Sequence, residues 1–443
     1  MRTRSFSALV AALALIALAG FGWGISEHRN RAARSAGTHR LSQLEAENER
    51  LRGVVAAQEK ARIEIENRGL RAKIERAVAA IRGLAFIEPV TYDVLTRAAI
   101  KQTIARKLDE QFSPAELRNV GQGLSALGLL PHNYPLKEKY IELLGEQVAA
   151  FYDQHQHRLF MFEDASLAGS QNRVVLAHEL THALQDQHVG LLKLPLEIKT
   201  NDDRALAASA LVEGEATLVM SQYMLQNISL AGLRENLGAA VSQNMRQLQD
   251  APRYLRELLV FPYLRGQEFC AALFARGGYE AISAAYKNPP SSTAQILHPD
   301  KYFGENREEP ITIDFGDTRV NGEQPLADNV LGEFGTRVLL SHWIDAKKAE
   351  AAASGWRGDR YLVFNNGDAV VWKSAWKDAE GFYAAIRMAL EERYKTLFAL
   401  DQNGWLSTKI PRALRLLRHG ENVVVIDAGD EKWAQALADK FAN

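Results

Sequence analysis

From Phe6 to Ile25 the chain carries no charged side chain and is mostly Ala, Leu, Val and Ile. A run of about twenty apolar residues cannot be accommodated by the surface of a soluble domain, and it is long enough to cross a bilayer as one helix. Arg2 and Arg4 precede it, and Ala17-Leu18-Ala19 has the small-x-small form of a cleavage site before Gly20. Residues 1–25 are therefore a transmembrane anchor or a signal peptide, and the stalk-like sequence that follows favours the uncleaved anchor. The short basic tail ahead of an Ala/Leu run points to export, giving a single-pass membrane protein with an extracytoplasmic (periplasmic) body. Arg29, Arg31, Arg34 and Arg40 on the far side argue for the opposite, cytoplasm-facing orientation.

Residues 26–82 read as a helical stalk. Leu41, Leu44, Asn48, Leu51 and Val55 fall on alternating heptad core positions, with Asn48 as a polar core residue that would fix register. The pattern weakens at Gln58 and Arg62 and resumes off-register at Leu70, Ile74, Ala77 and Ile81. The expectations are a short coiled coil that pairs two copies of the chain, or one amphipathic helix packed on the body. The net charge of −1 hides an asymmetry: residues 1–82 hold 15 basic and 8 acidic side chains, the rest 38 and 46. A basic stalk suits anionic lipid head groups. The chain as a whole has no basic excess, and nucleic acid is not an expected partner.

The remainder reads as α+β and mainly helical, with a segment over 83–326 and a smaller α+β unit over 327–443. Strand-like stretches are Pro89–Leu95, Arg158–Phe162, Tyr361–Phe364, Ala369–Trp376, Ala413–Arg418 and Asn422–Ile426. Helical patterns run to about 127, then to about Tyr152, over 172–287, 327–353 and 377–398, and over 431–441. Trp343, Trp356, Trp372, Trp376 and Trp405 read as C-terminal core.

Cys270 is the one cysteine. A disulfide framework and a cysteine-built zinc or iron–sulfur site are excluded, and Cys270 itself reads as a small core residue. A bound metal would need His, Asp or Glu ligands. His178-Glu179-Leu180-Thr181-His182 supplies them within an uninterrupted helical pattern. Histidines four apart lie on one helix face about one turn apart, and a glutamate beside the first can reach a water on a shared ion. This H-E-x-x-H spacing is that of zinc peptidases, in which three protein ligands leave a fourth position open.

Three residues compete for the third ligand position. His188 has the spacing of the metzincin class, but that class needs Gly where Gln185 stands. In an unbroken helix His188 is rotated about 280° from His178. Glu213 and Glu215 lie in the apolar, small-residue stretch Ala205–Ala216, where a carboxylate is costly to bury unless it is paired or bound to metal. Gly214 and Ala216 would let that helix pack closely on the metal helix.

The motif followed by Leu211-Val212-Glu213-Gly214-Glu215-Ala216 resembles the gluzincin class (peptidase MA superfamily). More narrowly, the chain is similar to a family of uncharacterised, often membrane-anchored bacterial proteins classed as metallopeptidases. The likeness covers roughly 83–443. It rests on Phe151-Tyr152-Asp153, His178–His188, Ser292-Thr293 with Ile296–Pro299, Leu331–Gly335, and Gly355-Trp356 with Gly358–Tyr361. Gln154 departs from the expected Pro. The resemblance implies a zincin-like catalytic domain holding one Zn²⁺ on His178, His182 and Glu213, with Glu179 as general base and a peptide or protein as substrate. It also implies an edge strand that holds extended peptide, for which Arg158–Phe162 is a candidate, an internal sheet strand being the other reading.

An oxyanion stabiliser would come from His298, Tyr302 or Tyr263. His155 and His157 could bind a second metal but read more simply as loop residues, and Glu333 and Asp359 as capping or packing groups. The reading from another functional class is a non-catalytic coiled-coil membrane adaptor with a structural or vestigial metal site.

Overall fold

A computed structural model describes residues 30–147, 150–162, 167–229, 232, 250–305, 307–406 and 410–442. Residues 6–25, on which the membrane anchor was expected, lie outside them. Among the described residues no helix is long and apolar enough to cross a membrane. The chain divides into two compact units, residues 1–66 and 67–443.

In the first unit the described residues are the beginning of helix α1 (Asn30–Arg82). Leu44, Leu51, Val55 and Ile65 are exposed there. In the second unit the last turns of α1 bury Ile74 and Val78 in an apolar core, with Leu70, Ala77 and Ile81 against it. The off-register pattern after Arg62 is the stripe that packs on the body, and of the heptad residues Leu44, Asn48, Leu51 and Val55 are exposed.

The second unit is α+β and mainly helical. In chain order it continues with β1 (Thr91–Leu95), α2 (Arg97–Gln111), α3 (Pro114–Ala126), α4 (Leu136–Gln147), β2 (Ala150–Asp153), β3 (Arg158–Phe162), α5 (Ser170–Val189), α6 (Asp202–Asn227), α7 (Arg253–Lys287) and α8 (Thr293–Leu297). Then follow β4 (Ala327–Asn329), α9 (Gly332–Ser341), α10 (Ala346–Ala353), β5 (Trp356–Phe364), β6 (Ala369–Trp376), α11 (Ala379–Tyr394), β7 (Ala413–His419), β8 (Asn422–Ala428) and α12 (Glu431–Phe441). Where one helix was expected to run to about Tyr152, α4 ends at Gln147 and β2 begins at Ala150.

A three-stranded sheet has the order β1-β3-β2, with β1 parallel and β2 antiparallel to β3. Of the two readings of Arg158–Phe162, the internal sheet strand holds and the edge strand is corrected. β3 is paired on both sides, and its continuous apolar run reflects burial on both faces. β2 is the outer strand next to it.

The second sheet is antiparallel throughout, in the order β4-β5-β6-β8-β7. Its period-2 pattern is legible in β6: Val370, Trp372 and Trp376 face the largest core, while Ala369, Val371 and Ala375 face a second core under α12. The largest core draws on both segments, from Leu211 and Phe269 to Val338, Trp372 and Val425. Residues 83–326 and 327–443 therefore share one interior.

Helices α6 and α7 meet backbone to backbone. A Cβ at Gly214 would lie 2.2 Å from the Gly266 carbonyl, and one at Gly266 would lie 2.1 Å from the Ala210 oxygen. Gly214 thus makes room for α7, not for the metal helix as its place in the sequence suggested. This crossing sets the rotation of α6 and with it the direction of Glu213.

Candidate metal centre

α5 carries the H-E-x-x-H motif without a break. It ends only at Gly190, whose left-handed backbone (φ 75°) lets its N–H donate to the Asp186 carbonyl. Gln185 sits inside the helix, so His188 is turned away from His178, and its Nε2 lies 2.8 Å from the Ala85 carbonyl oxygen.

His178, His182 and Glu213 converge. His178 Nε2 is 3.0 Å from His182 Nε2, and Glu213 Oε2 is 3.1 Å from the first and 3.3 Å from the second. Tetrahedral ligands bound at about 2.0–2.1 Å are spaced by about 3.3 Å, so the three atoms have the separations of ligands on one ion. Two imidazoles and a carboxylate are also a donor set that Zn²⁺ takes. Among the described residues this is the one group of three or more His, Cys, Asp or Glu so arranged.

The alternatives have other partners. Glu215 is fully buried and bound to Arg82, Gln185 and Tyr286. Glu213 and Glu215 are about 200° apart around α6, and they meet different groups of α5: Glu213 the two histidines, Glu215 the Gln185 amide. His298 Nε2 pairs with Glu333 Oε1 at 2.6 Å, and the Tyr302 hydroxyl donates to the Asn288 carbonyl. His155 pairs with Glu197 and His157 with Asp186. The aromatic residue beside the metal ligands is Tyr263, whose ring stacks on His178 with centroids 5.9 Å apart.

Electrostatics in the site follow from this crowding. Burial raises the Glu213 carboxyl, but the two histidines more than reverse it and hold the group well below the usual carboxylate range. Burial lowers His182, and the Glu213 charge and hydrogen bond override that, pushing it up to about 9. Burial raises Glu179, against the opposing pull of both histidines. The Glu213 charge, burial and Glu179 together keep the Tyr263 phenol protonated, well above its ordinary range.

Glu179 Oε2 accepts the Tyr152 backbone N–H at 2.8 Å. This contact joins the outer strand β2 to the motif helix α5. The Tyr152 hydroxyl donates to Asp186, pinning the same strand to α5 a second time. Two further residues escaped sequence reasoning. Gln185 Oε1 lies 2.8 Å from His182 Nδ1, and Arg82 is ion-paired to Glu215. The i,i+3 spacing of His182 and Gln185 was a legible signal for the first. Nothing local pointed to Arg82.

The motifs behind the resemblance, other than the zinc motif and the β2 residues, form a polar junction. Asp359 accepts the Leu331 and Gly332 N–H groups at the start of α9 and the indole N–H groups of Trp356 and Trp372. Thr293 donates through its backbone and hydroxyl to Asp203, and its hydroxyl oxygen accepts the Phe334 N–H. Burial pushes Asp203 up to about 7 against the hydrogen bonds from Thr293. Gly332 (φ 74°) leaves no room for a Cβ against Asp203. Glu333 holds His298 and Lys301. These groups tie α6 to the C-terminal segment.

The family described as "Domain of unknown function (DUF8575)" matches residues 319–438. That stretch spans the five-stranded sheet and contains none of His178, His182 and Glu213. No curated protein and no solved structure matches the chain.

Proposed function

We propose that this chain is a zinc-dependent endopeptidase of gluzincin type, anchored to a membrane through residues 6–25, with a zincin-like catalytic domain. The observation that carries the reading is the convergence of His178, His182 and Glu213 beside Glu179. Glu179 also accepts the Tyr152 N–H, a role that it would keep in the non-catalytic adaptor reading.

Held by these three ligands, Zn²⁺ would supply Lewis acidity, lowering the pKa of a water from about 15.7 to about 7 and polarising the scissile carbonyl. Glu179 takes the proton of the attacking water and delivers it to the leaving amine. Burial raises its pKa, which favours its acting in turn as base and as acid. Tyr263, kept protonated, donates its O–H to the oxygen on which charge develops. An extended substrate pairs with the outer edge of β2, in place of the β3 edge first considered.

Purified Glu179→Gln should retain one zinc per chain and lose at least a hundredfold in peptide hydrolysis, read by digestion of a mixed peptide library. Full activity in that variant would sink the mechanism. Absence of zinc from the wild type would sink the metal centre.

A further inference from the structure

The fully buried carboxylate Glu215 is not a ligand, and its surroundings have a fixed polarity. Gln185 Nε2 is 2.9 Å from the Val212 carbonyl oxygen, 2.8 Å from Glu215 Oε2 and 2.9 Å from the Tyr286 hydroxyl. The Tyr286 proton is committed to Glu215 Oε2 at 2.5 Å. All three neighbours of the amide nitrogen are therefore acceptors. Flipping the amide would set its oxygen against three oxygens. Oε1 must then face His182, and an amide oxygen only accepts. His182 Nδ1 must carry hydrogen, which leaves the Nε2 lone pair for the metal. His178 Nδ1, by contrast, is buried with no hydrogen-bond partner among the described residues.

The polarity originates at Arg82, the last residue of α1. Its guanidinium binds Glu215 Oε1 through Nε, donates to Ser283 Oγ at 2.7 Å and lies over the Tyr279 ring. An unpaired carboxylate at this depth is strongly unfavourable, so Glu215 can serve as the acceptor that aligns Gln185 only while Arg82 is in place. We propose that Arg82 is a positioning residue of the metal centre, acting through Glu215 and Gln185 to hold His182 in the tautomer that binds metal. The proposal rests on the reading of His178, His182 and Glu213 as metal ligands, and not on peptidase activity.

A cavity of about 380 Å³ is lined by Arg82, Gln185, Glu215 and Tyr286, which provides a direct test. Metal-free wild type, Arg82→Ala and Gln185→Leu are titrated with zinc against a chromophoric chelator, and with Co²⁺ followed by its visible absorption. Folding is checked by circular dichroism. Both variants should bind zinc ten- to a hundredfold more weakly, the range typical of groups that orient a ligating histidine, and should alter the Co²⁺ spectrum. Millimolar methylguanidinium, which fits the space left by the arginine, should restore most of the affinity of Arg82→Ala. It should do nothing for Gln185→Leu, and an equal concentration of sodium chloride should rescue neither. Folded variants that bind zinc within twofold of wild type would overturn the proposal, as would rescue by salt alone. If Arg82→Ala does not fold, Gln185→Leu decides by itself. A wild type that binds no zinc would overturn the metal centre, and the relay with it.

Discussion

At the scale of single residues, His182 and Glu213 form a charge pair. The Glu213 charge pushes His182 up to about 9, so a zinc ion taken up by the proposed centre would displace a proton. Zinc binding near pH 7 should therefore release about one proton. Apparent affinity should rise about tenfold per pH unit and level off near pH 9. Calorimetric titration in buffers of different ionisation enthalpy measures the proton count directly, and a count of zero would contradict the pairing of His182 with Glu213. The two histidines and Glu179 were legible in the sequence because i,i+1 and i,i+4 geometry is set within one helix turn. Gln185 belongs to the same local pattern, yet its importance depends on Glu215, Tyr286 and Val212, which come from elsewhere.

Among the elements, the start of α9 depends on a residue from β5. Asp359 places a carboxylate at the positive end of that helix and receives two backbone and two indole N–H groups. Asp359→Ala would leave four buried donors unpaired, at about 1–3 kcal/mol each and not additively. A loss on the order of 4 kcal/mol in urea unfolding is expected, against a much smaller loss for Asp359→Asn, which keeps one acceptor. Equal effects of the two would argue that packing, not hydrogen bonding, sets the cost. Several elements were readable in advance: β6 and α12 have the limits that their periodicities predict, and β7 and β8 flank the turn at Gly420. The helix expected to run to Tyr152 was misread because the apolar Ala150–Tyr152 stretch suits helix or strand equally. Pairing with β3 decided it.

For the whole molecule, α1 has two characters. Leu44, Leu51, Val55 and Ile65 are exposed along the heptad stretch, whereas Ile74 and Val78 are buried in the core. The proposed pairing of two chains through the heptad stretch predicts that full-length protein in detergent sediments as a dimer. Leu44→Glu with Leu51→Glu should shift it to monomer at low micromolar concentration while leaving zinc content at one per chain. Wild type that is monomeric throughout would remove the stalk from the list of interfaces.

The sequence by itself determined whatever is encoded within a few residues: two histidines and a glutamate on one helix, the alternation of the C-terminal strands, and the absence of thiolate ligands. Tertiary structure alone decided that Glu213 and not Glu215 or His188 completes the group, that β3 is an internal strand and β2 an outer one, and that Arg82 reaches His182 through two intermediaries. Each of these depends on how helices from distant parts of the chain rotate against one another. That rotation is set by the backbone contact of Gly214 with Gly266 and of Gly266 with Ala210, which no local periodicity records.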